Sequence, residues 1–155
     1  MTPAINLLKQ AKIAHQVHEY SHDVQHESFG LEAAEKLNVD PERVFKTLVV
    51  KLDNGHLAVG ILPVNNMLSM KAMAKALSAK KAEMADKNEV QRSTGYVLGG
   101  VSPLAQKKRL KTVIDLSAQQ FPAIFVSGGR RGLEIELAAS DLAKATLGQF
   151  FDIAV

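Results

Sequence analysis

The chain of 155 residues has no cysteine and no tryptophan, and aromatic residues make up only 5% of it. Without cysteine there is neither a disulfide nor a thiol nucleophile, and cytoplasmic residence is the default expectation. A metal site would have to be built from histidine and carboxylates alone. So few aromatics argue against a surface that stacks successive bases of a single strand. The longest apolar runs, such as Leu48-Val49-Val50, fall far short of a membrane span. The opening Met1-Thr2-Pro3-Ala4-Ile5 has no basic region followed by an apolar block, so no secretory signal is expected. No repeat, low-complexity tract or linker interrupts the chain, which reads as one domain over residues 1–155.

What is present suits a globular fold. Hydrophobic residues account for 46% and charged residues for 23%, enough to bury a core. The formal charge of +3 gives a mild preference for anionic partners. Thr2-Pro3 reads as the cap and first turn of a helix. His15 to Tyr20 alternates as a short strand, and Gly30 leads into a helix that Asp40-Pro41 ends. Val44 to Leu52 is a β-branched strand, Asp53-Asn54-Gly55 a hairpin turn, and His56 to Val64 the return. Ser69 to Leu77 is helical, Ala79 to Ala85 a short strand, and Asp86 caps a helix over KNEVQRST. Strands follow at Thr112 to Leu116, Ile124 to Ser127 and Leu133 to Leu137. Ser140 or Asp141 is expected to cap a last helix through Leu147, Gly148 to stop it, and FFDIAV to add a strand. Strands outnumber helices and meet by hairpins. The fold class is therefore α+β, with a mixed, largely antiparallel sheet flanked by helices.

In VFKTLVVKL both strand faces are largely apolar, so Lys46 lies among aliphatic neighbours where an ammonium group is costly to desolvate. Either its stem packs and its head snorkels to water, or it serves an anionic ligand, a carboxylate or a proton transfer. Lys51, beside the hairpin, reaches solvent easily. Gly99-Gly100-Val101-Ser102-Pro103 lets backbone approach a ligand, or is an ordinary connecting turn. Ser127-Gly128-Gly129-Arg130-Arg131-Gly132 is an anion-binding nest or a flexible hairpin with solvated arginines. It lacks the ending of a nucleotide-hydrolysing loop. Basic clusters at Lys71, Lys75, Lys80 and Lys81, and at Lys107, Lys108, Arg109 and Lys111, could neutralise RNA phosphates or be solvated faces.

Four of the five histidines, His15, His18, His22 and His26, fall within 12 positions, with Asp23 and Glu27 nearby. No metal-binding spacing results, and no metal is expected. A Ser-His-Asp triad has no strand-turn-helix elbow to carry it.

The segments MTPAINLLKQAKI, VFKTLVV, STGYVLGGVSPLAQKKR and FVSGGRRGLEIELAASDLAKA, in this order along the chain, resemble the bacterial YbaK/EbsC-type aminoacyl-tRNA deacylases. The resemblance implies a fold like the editing domain inserted in bacterial prolyl-tRNA synthetase. It also implies the reaction, hydrolysis of the ester joining an amino acid to the terminal adenosine of tRNA. Prolyl-tRNA synthetase cannot reject cysteine strongly by size, so correction after charging is required. Cys-tRNA(Pro) is the expected substrate, with Cys-tRNA(Cys) as a further one.

On this resemblance Lys46 matches the essential lysine, expected to hold the phosphate or ribose end. Gly99, Gly100 and Val101 match the loop whose backbone orients the aminoacyl group, and these four form the candidate catalytic set. Tyr20, Phe29, Thr47 and Ser127 match pocket positions, with Ser102, Pro103, Gly128 and Gly129 completing the candidate substrate-binding set. The implied chemistry is substrate-assisted: the cysteine thiol attacks its own ester, so the protein supplies position and electrostatics. The expected partners are the acceptor end of aminoacyl-tRNA and, transiently, prolyl-tRNA synthetase, with no cofactor, membrane or DNA. Two other readings stay open: a non-catalytic module that binds tRNA or docks on a synthetase, and a small-molecule hydrolase with an anionic substrate.

Overall fold

A computed structural model describes residues 1–26 and 28–155; Glu27 and the Phe29 side chain lie outside the described part. Helix α1 (Pro3–Gln10) starts as its cap predicts, with the Ile5 N–H donating to the Thr2 hydroxyl and Ala4, Ile5 and Leu8 buried. Strand β1 (Gln16–Glu19) follows, then α2 (Phe29–Leu37), capped by Ser28. Asn38, in the left-handed region at φ 54°, ends α2 two residues before the expected Asp40-Pro41 stop. Asp40 instead caps a 3-10 turn over Pro41–Arg43.

Strands β2 (Phe45–Leu52) and β3 (Leu57–Pro63) pair antiparallel across the expected turn, where Gly55 takes φ 87°. Next come α3 (Met70–Ala76), β4 (Ala82–Met84), and α4 (Lys87–Thr94) capped by Asp86. The chain ends with β5 (Lys111–Asp115), β6 (Ile124–Ser127), β7 (Leu133–Leu137), α5 (Ala139–Thr146) and β8 (Gln149–Phe151). Neither Ser140 nor Asp141 caps α5. The chain leaves β7 through Ala138 alone, so the helix begins at once, without a side-chain cap. At its far end Leu147, not glycine, takes the positive φ of 55°, and the Gly148 N–H reaches the Ala143 carbonyl at 2.9 Å.

The α+β class holds, but the strands form two sheets rather than one. A three-stranded antiparallel sheet has the order β1-β7-β6, and a five-stranded mixed sheet has the order β4-β2-β3-β5-β8. The pairs β3–β5 and β5–β8 are parallel, because α3, β4 and α4 carry the chain away from β3 before β5 returns beside it. A bridge between Val44 and Phe125 joins the two sheets at the start of β2.

The largest apolar core lies between the sheets and under α1 and α5, with Leu8, Phe45, Ile61, Ile114, Ile135 and Leu142 at most 2% exposed. A second core, with Val50, Leu62 and Met73, lies under α3, and a third, with Ala33, Ala34 and Val64, under α2. The two faces of β2 therefore enter different cores, which leaves its upstream edge as the place for a ligand.

Candidate active site

Strand β4 pairs β2 only from Val50 to Leu52, and past it the Ala85 N–H donates to the Val49 carbonyl. Between this bond and the Val44–Phe125 bridge to β6, no strand among the described residues pairs the β4 side of β2. A cleft of about 440 Å³ lies there, lined by the six consecutive residues 44 to 49, as an uncovered strand edge would present them. Across it stand Ser127 and Glu134 from the three-stranded sheet, Tyr20 just past the end of β1, and Leu98, Gly99 and Val101 from the glycine-rich loop.

Lys46 is half-buried in this wall, and among the described residues no carboxylate or other acceptor meets its ammonium group. Burial pushes its pKa below the usual lysine range. The hydroxyl of Thr47, the next residue, is buried with no hydrogen-bond partner among the described residues. An orphaned hydroxyl costs about 1–3 kcal/mol and is offset when a ligand supplies the missing partner.

The two glycine-rich loops, separate in sequence, pack on each other. A Cβ on Gly100 would come within 2.8 Å of the Arg130 Cα, so only glycine permits this approach of backbone to backbone. Gly129, at φ 114°, lies against the Tyr96 ring in the same way. The Tyr96 hydroxyl donates to the Leu104 carbonyl at 2.6 Å, and the Thr2 hydroxyl donates to the Gly128 carbonyl. Within the first loop the Gly100 N–H is spent on the Val97 carbonyl at 2.9 Å. The amides of Gly99 and Val101 have no acceptor among the described residues, so they remain available to a carbonyl oxygen or an oxyanion in the cleft.

Arg130 and Arg131 stand on the same wall. Arg131 Nη1 lies 3.0 Å from His22 Nε2, and His22 Nδ1 lies 2.6 Å from Glu32 Oε1. A guanidinium only donates, so Nε2 accepts and Nδ1–H donates to the carboxylate. Glu32 is fully buried. Burial alone would raise its pKa, but hydrogen bonds from His22 and the Asp23 N–H outweigh that and hold it below the ordinary range.

Glu134 faces the cleft from β7, 7% exposed, with no hydrogen-bond or ion-pair partner among the described residues, and burial pushes its pKa up to about 8. Tyr20 is pushed up to about 12, first by burial and then by the nearby Glu134 charge. A cation, a carboxyl that stays protonated near neutral pH and a phenol thus share one partly dry cavity. Such displaced titrations gather at functional sites.

Of the residues singled out from sequence, Lys46, Thr47, Tyr20, Ser127, Gly99 and Val101 line the cleft. Gly100, Ser102, Pro103, Gly128 and Gly129 do not; they back the residues that do. The Ser102 hydroxyl turns inward and accepts from the Leu104 N–H at 3.2 Å. The Phe29 side chain lies outside the described part. Sequence reasoning missed Glu134, because in LEIEL the inward alternation of Leu133, Ile135 and Leu137 marks both glutamates as outward. The histidines take separate partners: His15 the Ile13 carbonyl, His18 Glu136, His22 Glu32 and His26 Glu35. Among the described residues no group of three potential ligands could hold a metal.

The family model of the aminoacyl-tRNA editing domain matches residues 29–145. EbsC of Enterococcus faecalis, named as a candidate Cys-tRNA(Pro)/Cys-tRNA(Cys) deacylase, is 38% identical over 152 residues, covering 98% of this chain and 92% of its own. The uncharacterized protein YwhH of Bacillus subtilis is 28% identical over 117 residues, 73% of this chain and 71% of its own. Among solved structures, a candidate trans-editing enzyme for prolyl tRNA synthetase superposes with a TM-score of 0.84 at 19% identity, covering 100% of this chain and 98% of that one. A hypothetical protein superposes at 0.88 with 24% identity, covering 99% and 100%. At these identities the structures show the shared fold.

Proposed function

The chain belongs to the aminoacyl-tRNA editing domain family and is an aminoacyl-tRNA deacylase, and we propose that its cleft removes cysteine from mischarged proline tRNA, and from cysteine tRNA as a further substrate. The observation that carries this reading is the half-buried, unpaired ammonium of Lys46 in one cavity with the unspent amides of Gly99 and Val101. A partly desolvated cation without a protein counter-charge suits an anionic ligand, and the last phosphate or ribose of the acceptor end would supply it.

The chemistry follows from what the cavity holds and what the chain lacks. With no cysteine in the sequence, the thiol in the reaction is the substrate's own. Its sulfur attacks the ester carbonyl and the carbon–oxygen bond to the ribose breaks. The ribose oxygen takes up the thiol proton, and a four-membered thiolactone leaves for hydrolysis in water. The amides of Gly99 and Val101 face the developing oxyanion, worth about 3 kcal/mol per donor in comparable sites. Thr47, Tyr20 and Glu134, protonated below about pH 8, offer hydroxyl donors that orient the aminoacyl group. Arg131, held by His22, adds positive charge at the same wall. The charged tRNA comes from prolyl-tRNA synthetase through a transient encounter, and the reaction runs in the cytoplasm.

The test compares release of the amino acid from Cys-tRNA(Pro) and from the same tRNA charged with serine. The proposal expects rapid loss of cysteine, a trapped thiolactone, and serine release slower by about two orders of magnitude or more. Equal rates would end the substrate-assisted mechanism. Salt-dependent tRNA binding with no turnover on either ester would leave a non-catalytic binding module.

A further inference from the structure

Against a different face of α4 lies a second, open groove of about 530 Å³, lined by His56, Glu89, Arg92, Ser93, Lys107 and Lys108 among others. The helix separates the two sites. Val90 faces the cleft, while Glu89, Arg92 and Ser93 face the groove. The Lys107 N–H donates to the Thr94 carbonyl at 2.9 Å and the Lys108 N–H to the Ser93 carbonyl at 2.8 Å, fixing both lysines on the end of α4. Glu89 is neutralised by Lys51, whose ammonium lies 3.3 Å from both carboxylate oxygens. Arg92, Lys107 and Lys108 are exposed and have no carboxylate partner among the described residues. Arg109 and Lys111 follow directly.

We infer that this groove binds the sugar-phosphate backbone of the tRNA acceptor stem. Three cations converge where the protein supplies no free counter-charge, so their mutual repulsion is relieved by a polyanion. Among its lining residues the groove has no aromatic ring beyond the His56 imidazole, which suits phosphate contact rather than base stacking. Both sites are lined by residues of the one helix α4, whose diameter is roughly 10 Å. An RNA whose end enters the cleft beside Lys46 therefore passes its backbone over α4 to these three side chains. The inference rests on the deacylase reading for the identity of the RNA, and its measurement does not depend on turnover.

The probe is uncharged proline tRNA, with binding measured against salt for the wild type and for Arg92→Gln/Lys107→Gln/Lys108→Gln. The variant should bind at least tenfold more weakly at moderate salt. Its log-affinity against log-salt slope should be shallower by about 2 to 3, roughly one for each phosphate that is no longer neutralised. Lys71→Gln/Lys75→Gln on α3 should leave both quantities unchanged, and Lys107→Arg/Lys108→Arg should retain the slope. In deacylation the groove variant should raise KM for Cys-tRNA(Pro) with kcat within about twofold, and leave cleavage of a short cysteinylated oligonucleotide unchanged. An unchanged slope and KM in an active enzyme would overturn the groove while leaving the deacylase standing. Weakened tRNA binding in a protein that cleaves no ester would do the reverse. Equal loss on the short oligonucleotide would place the effect in the cleft and also overturn the inference.

Discussion

Strands β2 and β7 each carry two charged side chains of one sign, and in each strand one is paired and the other is not. On β2, Lys51 binds Glu89 at 3.3 Å, while Lys46 has no partner among the described residues. On β7, Glu136 is 2.9 Å from His18 and 3.4 Å from Arg43, whereas Glu134, two residues earlier on the same face, has no partner among the described residues. Lys51 and Glu136 do what charged residues on strands commonly do: they tie neighbouring elements together. Lys46 and Glu134 leave the protein with desolvation that its own contacts do not offset. Both unpaired members face the same cleft. Folding alone would not favour that arrangement, and displaced charges of this kind gather at functional sites.

The sharpest way to break this comparison is to remove each lysine in turn. Lys46→Ala should lower kcat/KM for Cys-tRNA(Pro) by about a hundredfold or more. Lys51→Ala should keep activity within about threefold and cost under about 1 kcal/mol of stability, as expected for a partly exposed ion pair. Similar losses in both would show that the pairing difference has no functional meaning.

Burial of Glu134 couples stability to pH. Glu134 titrates near 8 in the folded protein against an ordinary 4.5. Between those values the unfolded chain has released a proton that the native state keeps. Stability therefore falls as pH rises from about 4.5 to about 8 and levels off beyond. Glu134→Gln should flatten that decline and stabilise the protein above pH 8 by a few kcal/mol at most, read by denaturant titration across the range (about 1.4 kcal/mol per pKa unit sets the ceiling). A wild-type curve with no such decline would mean that Glu134 is not desolvated.

Glu136→Gln, by contrast, should destabilise by about 1 kcal/mol with little effect on deacylation, since it weakens bonds to His18 and Arg43 away from the cleft. The last test is at Thr47. Replacing its orphaned hydroxyl by the isosteric methyl in Thr47→Val should raise stability by about 1 kcal/mol, the low end of the cost of an unsatisfied hydroxyl, while lowering deacylation several-fold. A loss of both would mean that the hydroxyl has a structural partner.

Much of the fold was readable because the signals are local. The Thr2 and Asp86 caps, the Asp53–Gly55 turn and the β-branched run of β2 each depend on a few adjacent residues, and each forms where expected. The Ser140 or Asp141 cap failed because Ala138 alone links β7 to α5, a constraint set by the preceding strand. The division into two sheets was hidden for a related reason: periodicity shows that a strand has two faces but not which partner lies at its edge. In the site, Lys46 stood out as a charge in an apolar strand. Glu134 did not, being one of two alternating glutamates with the same local pattern.

Residue order alone thus determined the elements, their caps, the inward faces and the oddity of a lysine within β2. Tertiary packing decided where β4 stops, and so which edge of β2 stays open, and which of two like charges is left without a partner. Alternation assigns a side chain to a face within a few residues. Whether that face meets solvent, an ion or an apolar wall depends on chain segments far away in sequence, and the desolvation they impose is what displaces the Lys46 and Glu134 titrations.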